Sequence, residues 1–185
     1  SSRRHPRPPM KRCLLLGHGP DPARTIIAGW LAPHMSVETV TWQPDAWVYE
    51  HAFDLLISYR YHWVVPVDQL APVSINFHPG PPNRPGVGST DFALAEGAIF
   101  FGVTAHHMAA EVDSGPIIAT RTFPIRPDET LVTLTQRTHA HLLTLADEVL
   151  TCLIVGSPLP RALETWSGFP RTRKNLDALH ARCAP

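Results

Sequence analysis

Short, unbroken apolar runs, each stopped by turn-forming residues, restrict the folds open to this chain. Cys13-Leu14-Leu15-Leu16 ends in Gly17-His18-Gly19-Pro20, and Leu55-Leu56-Ile57 is a second such run. They are too short for helices and lack the alternation of a strand wetted on one face, so they predict strands buried on both faces. Between them, Asp21 is placed to cap a helix reaching Trp30, with Pro22 at the first helical position, where its missing amide proton matters little. Further strands are predicted at 37–42, 53–59, 73–78, 101–108 and 116–123, helical turns at 45–51 and 66–70, and a helix at 89–96. Leu131, Leu134, Thr138, Leu142, Leu145, Val149 and Cys152 recur at helical steps and predict one long helix with a single buried stripe. Asp128 and Glu129 favour its N-terminus. Strands alternating with helices predict an α/β fold: an open, mainly parallel twisted sheet with helices on both faces, in a single domain.

The chain has 185 residues, 44% of them hydrophobic, and a formal net charge of zero. That length can bury a real core, and the charge balance speaks against a disordered polyelectrolyte or a general nucleic-acid binder. No apolar stretch approaches the roughly 20 residues of a membrane span. Cys13, Cys152 and Cys183 are odd in number and far apart, which fits reduced thiols in a cytoplasmic protein better than a disulfide framework.

Asn76 and His78 stand two apart at the end of the strand over 73–78, so alternation sends both side chains to one face. That strand end is where open α/β sheets bind ligands. Taken alone, such a pair is more often an ordinary structural hydrogen bond. Asp113, in Glu111-Val112-Asp113-Ser114-Gly115-Pro116, lies in a turn between two strands, and an Asp there is often plain turn chemistry. His106-His107 looks like a metal pair, but neighbours on a strand point to opposite faces, so no metal is expected. Gly17-His18-Gly19 opens like a dinucleotide fingerprint, yet Pro22 stands where the third glycine is needed, so NAD is not expected. Gly86-Val87-Gly88-Ser89-Thr90 lacks the lysine of a Walker loop and reads as a loop and cap entering a helix.

Three separated segments agree with one another. Ser74-Ile75-Asn76-Phe77-His78-Pro79-Gly80, Phe101-Gly102-Val103-Thr104-Ala105-His106-His107-Met108 and Glu111-Val112-Asp113-Ser114-Gly115-Pro116-Ile117-Ile118 together resemble the folate-dependent formyltransferase family, over about residues 53–123. The family's Asn-x-His-Pro matches Asn76-Phe77-His78-Pro79, and its Asp-x-Gly matches Asp113-Ser114-Gly115. The resemblance implies that Asn76, His78 and Asp113 are catalytic. Asn76 would donate to a developing oxyanion, protonated His78 would add a second donor, and Asp113 would hold His78 charged or take the amine proton. It also implies 10-formyltetrahydrofolate as formyl donor, bound largely through backbone groups of Tyr61, His62, Trp63 and Val64 and of Ala110, Glu111, Val112 and Asp113. Tyr61 and Trp63 also fit ordinary core aromatics. Gly80, Gly86, Gly88 and His106 are acceptor-side candidates.

The implied activity is transfer of a formyl group to the amine of a small or carrier-bound acceptor, of amino-sugar or amino-acid type. A 10-formyltetrahydrofolate hydrolase and a folate-binding regulatory domain without turnover are the alternatives. The chain departs from many relatives in reading Gly80-Pro81-Pro82-Asn83 after the His-Pro, where they have Ser-Leu-Leu-Pro, so the acceptor is left open. The stretch over 17–53 is short and lacks the phosphate-binding glycine-serine turn of the purine-pathway enzyme, which disfavours glycinamide ribonucleotide. Methionyl-tRNA enzymes carry an added nucleic-acid-binding domain that nothing here matches, so neither nucleic acid nor membrane is expected as a partner. Residues 1–9 are expected to be a flexible basic, proline-rich leader, 10–160 the catalytic domain, and 161–185 a tail packed on it. In that tail, Arg171, Arg173 and Lys174 read as a solvated surface or as a grip on a phosphorylated acceptor.

Overall fold

A computed structural model of the chain describes residues 10–42, 53–66, 69 and 71–183. The elements run β1 (Arg12–Gly17), α1 (Pro22–Leu31), β2 (Ser36–Val40), β3 (Leu55–Tyr59), β4 (Val73–His78), α2 (Ser89–Ala95), β5 (Phe100–His107), β6 (Ile117–Pro124), α3 (Leu131–Ile154) and α4 (Arg173–Cys183). Six strands form one sheet in the order β2-β1-β3-β4-β5-β6. The first four pair in parallel, and β5 and β6 join them antiparallel.

The apolar runs behave as buried strands: every residue of β3 is buried, and β1 is buried from Cys13 to Gly17. One face packs Leu15, Ile57, Ile75 and Val103 against α1 through Ile27 and Leu31, and against α3 through Leu142, Leu145 and Val149. The other face turns Leu14, Leu16 and Leu56 toward Val40, Phe53 and Val65. Asp21 caps α1 by accepting from the Ala23 N–H at 3.0 Å. For α3 the cap is Thr130, in a reciprocal box with Thr133. The buried stripe begins at Leu134, with Leu131 outside it at 41% exposure.

The tail expected over 161–185 contains a helix, α4. Among its described side chains, Leu176 and Leu179 bury, against Phe92. Its start is signalled by Thr172 and Asn175, which cap one another: Thr172 N–H donates to Asn175 Oδ1 at 2.8 Å, and Asn175 N–H to Thr172 Oγ1 at 3.3 Å. The leader and the turn expected at 45–51 lie outside the described residues, as does much of the turn at 66–70, where Gln69 N–H donates to the Pro66 carbonyl at 2.9 Å. Among the described residues no helix is long and apolar enough to cross a membrane.

His139 on α3 is half-buried near Arg60 and Asp21. Burial, helped by the Arg60 charge and opposed by Asp21, pushes its imidazole down to about 4. The unfolded imidazole binds its proton near 6.5, so unfolding between those values takes up a proton, and stability is lost as pH falls from about 6.5 toward about 4. His78 is shifted in the same direction and adds to the loss. His139→Gln is therefore expected to flatten, without abolishing, the fall in urea midpoint between pH 7.5 and pH 5. An unchanged slope would contradict this assignment.

Candidate active site

Asn76 on β4 and His106 on β5 are direct partners across the antiparallel pair, so their side chains rise side by side from one face. The β5·β6 register shifts at Ala105/His106, an irregularity of the kind that re-aims side chains beside a site. Beyond β5 the chain turns back under itself, and Asp113 sits in that turn with φ of 48°, a left-handed conformation that Asp tolerates better than most residues. Two residues on, Gly115 passes directly beneath the His107 carbonyl, where a Cβ would overlap the oxygen. The Asp-x-Gly spacing thus places a carboxylate over the Asn76/His106 pair and threads the backbone out beneath β5.

Four groups meet at Asp113, which is 6% exposed. The Gly86 N–H donates to Oδ2 at 2.7 Å, and His78 Nδ1 lies 3.2 Å from the same oxygen. His106 Nε2 lies 3.3 Å from Oδ1, and Asn76 Nδ2 donates to Oδ1 at 3.4 Å. Asn76 Nδ2 is also 3.0 Å from His106 Nε2. His106 Nδ1 faces the His107 carbonyl at 2.8 Å and must carry a proton to bond it, which leaves Nε2 toward Asn76 and Asp113. Burial raises the Asp113 pKa, but the neighbouring His78 and the Gly86 N–H pull it down, and the carboxyl is held below its usual range and stays ionised. Burial drives the His78 imidazole below its ordinary value, opposed by the Asp113 charge and the Arg84 carbonyl. That carbonyl lies 3.0 Å from Nε2, so both ring nitrogens face acceptors and a proton reaching His78 finds a partner on either side.

An open cleft lies beyond this cluster. Tyr61, Trp63, Val64, Ala110, Glu111 and Val112 line it, together with Asn76, His106 and Asp113 of the cluster. Tyr61 and Trp63 meet edge to face at 5.1 Å. His78 is buried beside Asp113, with Nδ1 3.2 Å from Oδ2. His62 faces elsewhere, stacked on His18 with ring centroids 4.1 Å apart. Gly80 packs against His78, where a Cβ would come within 2.5 Å of Nε2. Gly86 supplies the N–H that Asp113 accepts, whereas Gly88, with φ of 74°, starts α2 beside Leu176. Arg171 bonds Glu96 and stacks 3.9 Å over the Phe92 ring, which makes it part of the packing, while Arg173 and Lys174 are exposed. One contributor had no signal in the sequence beyond its residue type: Trp166, whose indole edges onto both His78 and His106. Among the described residues no three His, Cys, Asp or Glu side chains are arranged to hold a metal ion.

An open sheet with a polar cluster beyond the carboxyl end of β4 defines a Rossmann-like α/β enzyme fold, with its cleft where such sheets place their ligands. Residues 43–148, more than half of the chain, match the formyl transferase family, and the chain belongs to it. It is 38% identical over 77 residues to the hydrogenase maturation factor HoxX of Bradyrhizobium diazoefficiens, covering 41% of this chain and 14% of that protein. It is also 38% identical over 66 residues to the phosphoribosylglycinamide formyltransferase of Bacillus subtilis, 35% of this chain and 34% of that one. The chain therefore spans only a part of the relatives it matches. Its fold is similar to that of the formyltransferase PseJ from Anoxybacillus kamchatkensis, solved with UDP-4,6-dideoxy-4-formamido-L-AltNAc and tetrahydrofolate. There the TM-score is 0.74 at 21% identity, over 90% of this chain and 88% of PseJ.

Proposed function

We propose that this chain transfers the formyl group of 10-formyltetrahydrofolate to a primary amine on a small or carrier-bound acceptor. The observation that carries the reading is the convergence of Asn76, His106 and an ionised Asp113 in one cleft. A cleft lined by aromatic and aliphatic side chains together with a few polar groups suits a heteroaromatic ring that presents a carbonyl to those groups. The folate bound by PseJ supports the donor, and its formamido sugar nucleotide supports an amino sugar as acceptor class.

The chemistry assigns a task to each side chain. The neutral amine attacks the formyl carbon, and the carbonyl oxygen becomes an oxyanion. Asn76 has two amide protons, one on His106 at 3.0 Å and one on Asp113 at 3.4 Å; the longer bond is the one an oxyanion displaces. Asp113, held by the Gly86 N–H and backed by His78, takes the proton that the attacking nitrogen sheds. The bond from carbon to N10 then breaks, the new C–N bond remains, and the proton passes to N10 of the departing tetrahydrofolate.

The test is to incubate the protein with 10-formyltetrahydrofolate and a panel of amino sugars, amino acids and carrier-bound aminoacyl groups. A mass gain of one formyl unit on an acceptor, with matching release of tetrahydrofolate, is the expected result. Formate released at a rate indifferent to every amine would replace this reading with hydrolysis.

A further inference from the structure

Residues 161–172, beyond the end of α3, run along the site as an extended strap. Ala162 N–H donates to the Ile117 carbonyl at 3.3 Å, Ser167 N–H to Pro82 at 3.0 Å and Arg171 N–H to Pro85 at 3.0 Å, while Val87 N–H donates back to Arg171 at 2.8 Å. The strap therefore stitches together the two loops that fix Asp113: the loop bearing Gly86, and the turn bearing Gly115. It lies outside the region matched to the family. It does not bury itself for stability, since Leu163 and Phe169 are 97% and 93% exposed. Trp166 is the strap side chain that turns onto the imidazoles. Its Nε1–H donates to the Gly115 carbonyl at 2.8 Å, and its ring meets His106 at 4.9 Å and His78 at 5.8 Å, both edge to face. Beneath it, those imidazoles are only 2% and 4% exposed.

We propose that Trp166 is a positioning residue of the formyl-transfer site, holding His78 and His106 against Asp113 and keeping water off both rings, so that the amine rather than water takes the formyl carbon. The competing reaction is complete in itself: water adds to the formyl carbon, the bond to N10 breaks, and formate, a proton and tetrahydrofolate result. The kinetic consequence rests on the activity proposed above, whereas the placement of the rings does not. His78 faces Asp113, His106 and the Arg84 carbonyl, and His106 faces Asp113, Asn76 and the His107 carbonyl, so the indole is the apolar cover the two rings share.

Two measurements test this, one of which needs no folate. In an NMR titration of the histidine rings, Trp166→Ala is expected to move the His78 midpoint up by about half a pH unit or more as water reaches the ring. Trp166→Phe, which keeps an aromatic cover, is expected to stay close to wild type. With 10-formyltetrahydrofolate and an accepted amine, the ratio of formate released to formyl transferred is expected to rise about tenfold in Trp166→Ala and stay within about twofold in Trp166→Phe, following from loss of the shielded geometry. If Trp166→Ala does not fold, Trp166→Leu replaces it, with the same directions expected. Unchanged ring titrations and an unchanged product ratio in whichever variant folds would overturn the proposal. A wild-type protein that neither transfers nor releases formyl would defeat the proposed activity, leaving the titration to decide the role of Trp166.

Discussion

Asp113→Asn is expected to lower kcat about a thousandfold, in the range typical of removing a positioned general base, while the protein stays folded and binds folate with little change. The carboxylate is the one group in contact with all the others: it accepts from the Gly86 N–H and from Asn76, and it lies within 3.3 Å of both imidazoles. An amide keeps one oxygen for Gly86, but it puts an NH2 where the second oxygen stood and cannot take a proton from an ammonium. The mutant also loses the negative charge that opposes the burial of His78, so the His78 titration is expected to fall further below its ordinary value. Because the wild-type carboxyl is held below the usual carboxylate range, it is ionised throughout the neutral region, and the acid limb of the wild-type rate profile belongs to other groups. Steady-state release of tetrahydrofolate across pH 5 to 9 gives the rate loss, and an NMR titration of the ring gives the His78 shift. A loss smaller than tenfold would remove Asp113 from the proton path.

How much of this was legible beforehand depends on what each residue's neighbours in sequence can say. The apolar runs at Cys13–Leu16 and Leu55–Ile57 announce buried strands because a strand covered on both faces needs no polar residue within it. Alternation correctly sets Asn76 and His78 on one side of β4, but it does not say which of them reaches the cleft. That is decided at the Pro79-Gly80 bend, where His78 is fixed between the Arg84 carbonyl and Asp113. His106 stands beside Asn76 because β5 runs antiparallel to β4, and the direction of a single strand pair leaves no trace in a one-chain sequence. Gly86 likewise reads as a loop glycine, and its N–H bond to Asp113 depends on a fold contact 27 residues away. The strap and α4 were illegible for a different reason: an extended segment has no period to detect, and a helix that buries Leu176 and Leu179 shows too narrow a stripe.

Gly115→Ala is expected to destabilise the protein by about 3 kcal/mol, the upper part of the range for a group forced into filled space. The space at Gly115 is filled by backbone: a Cβ there overlaps the His107 carbonyl oxygen and comes within 2.8 Å of its carbon. Side chains can rotate away from such a clash, whereas His107 is pinned, its N–H donating to the Pro116 carbonyl at 2.9 Å one residue beyond Gly115. Relief therefore requires β5 and the start of β6 to separate, which also pulls on the Trp166 bond to the Gly115 carbonyl and tilts the turn that carries Asp113. For a chain of this size, about 3 kcal/mol corresponds to a fall in Tm of about 10 °C. Activity is expected to drop even at temperatures where the variant remains folded, because a carboxylate displaced by about 1 Å loses much of its catalytic benefit. Ser114→Ala is the control. Its hydroxyl donates only to the Glu111 carbonyl at 2.8 Å on the exposed side of the same turn, so its loss is expected to shift Tm by no more than about 2 °C. Thermal melts of the two variants, with rates measured at 15 °C, separate the effects, and equal melting of Gly115→Ala and Ser114→Ala would show that the turn can move in a way these contacts forbid.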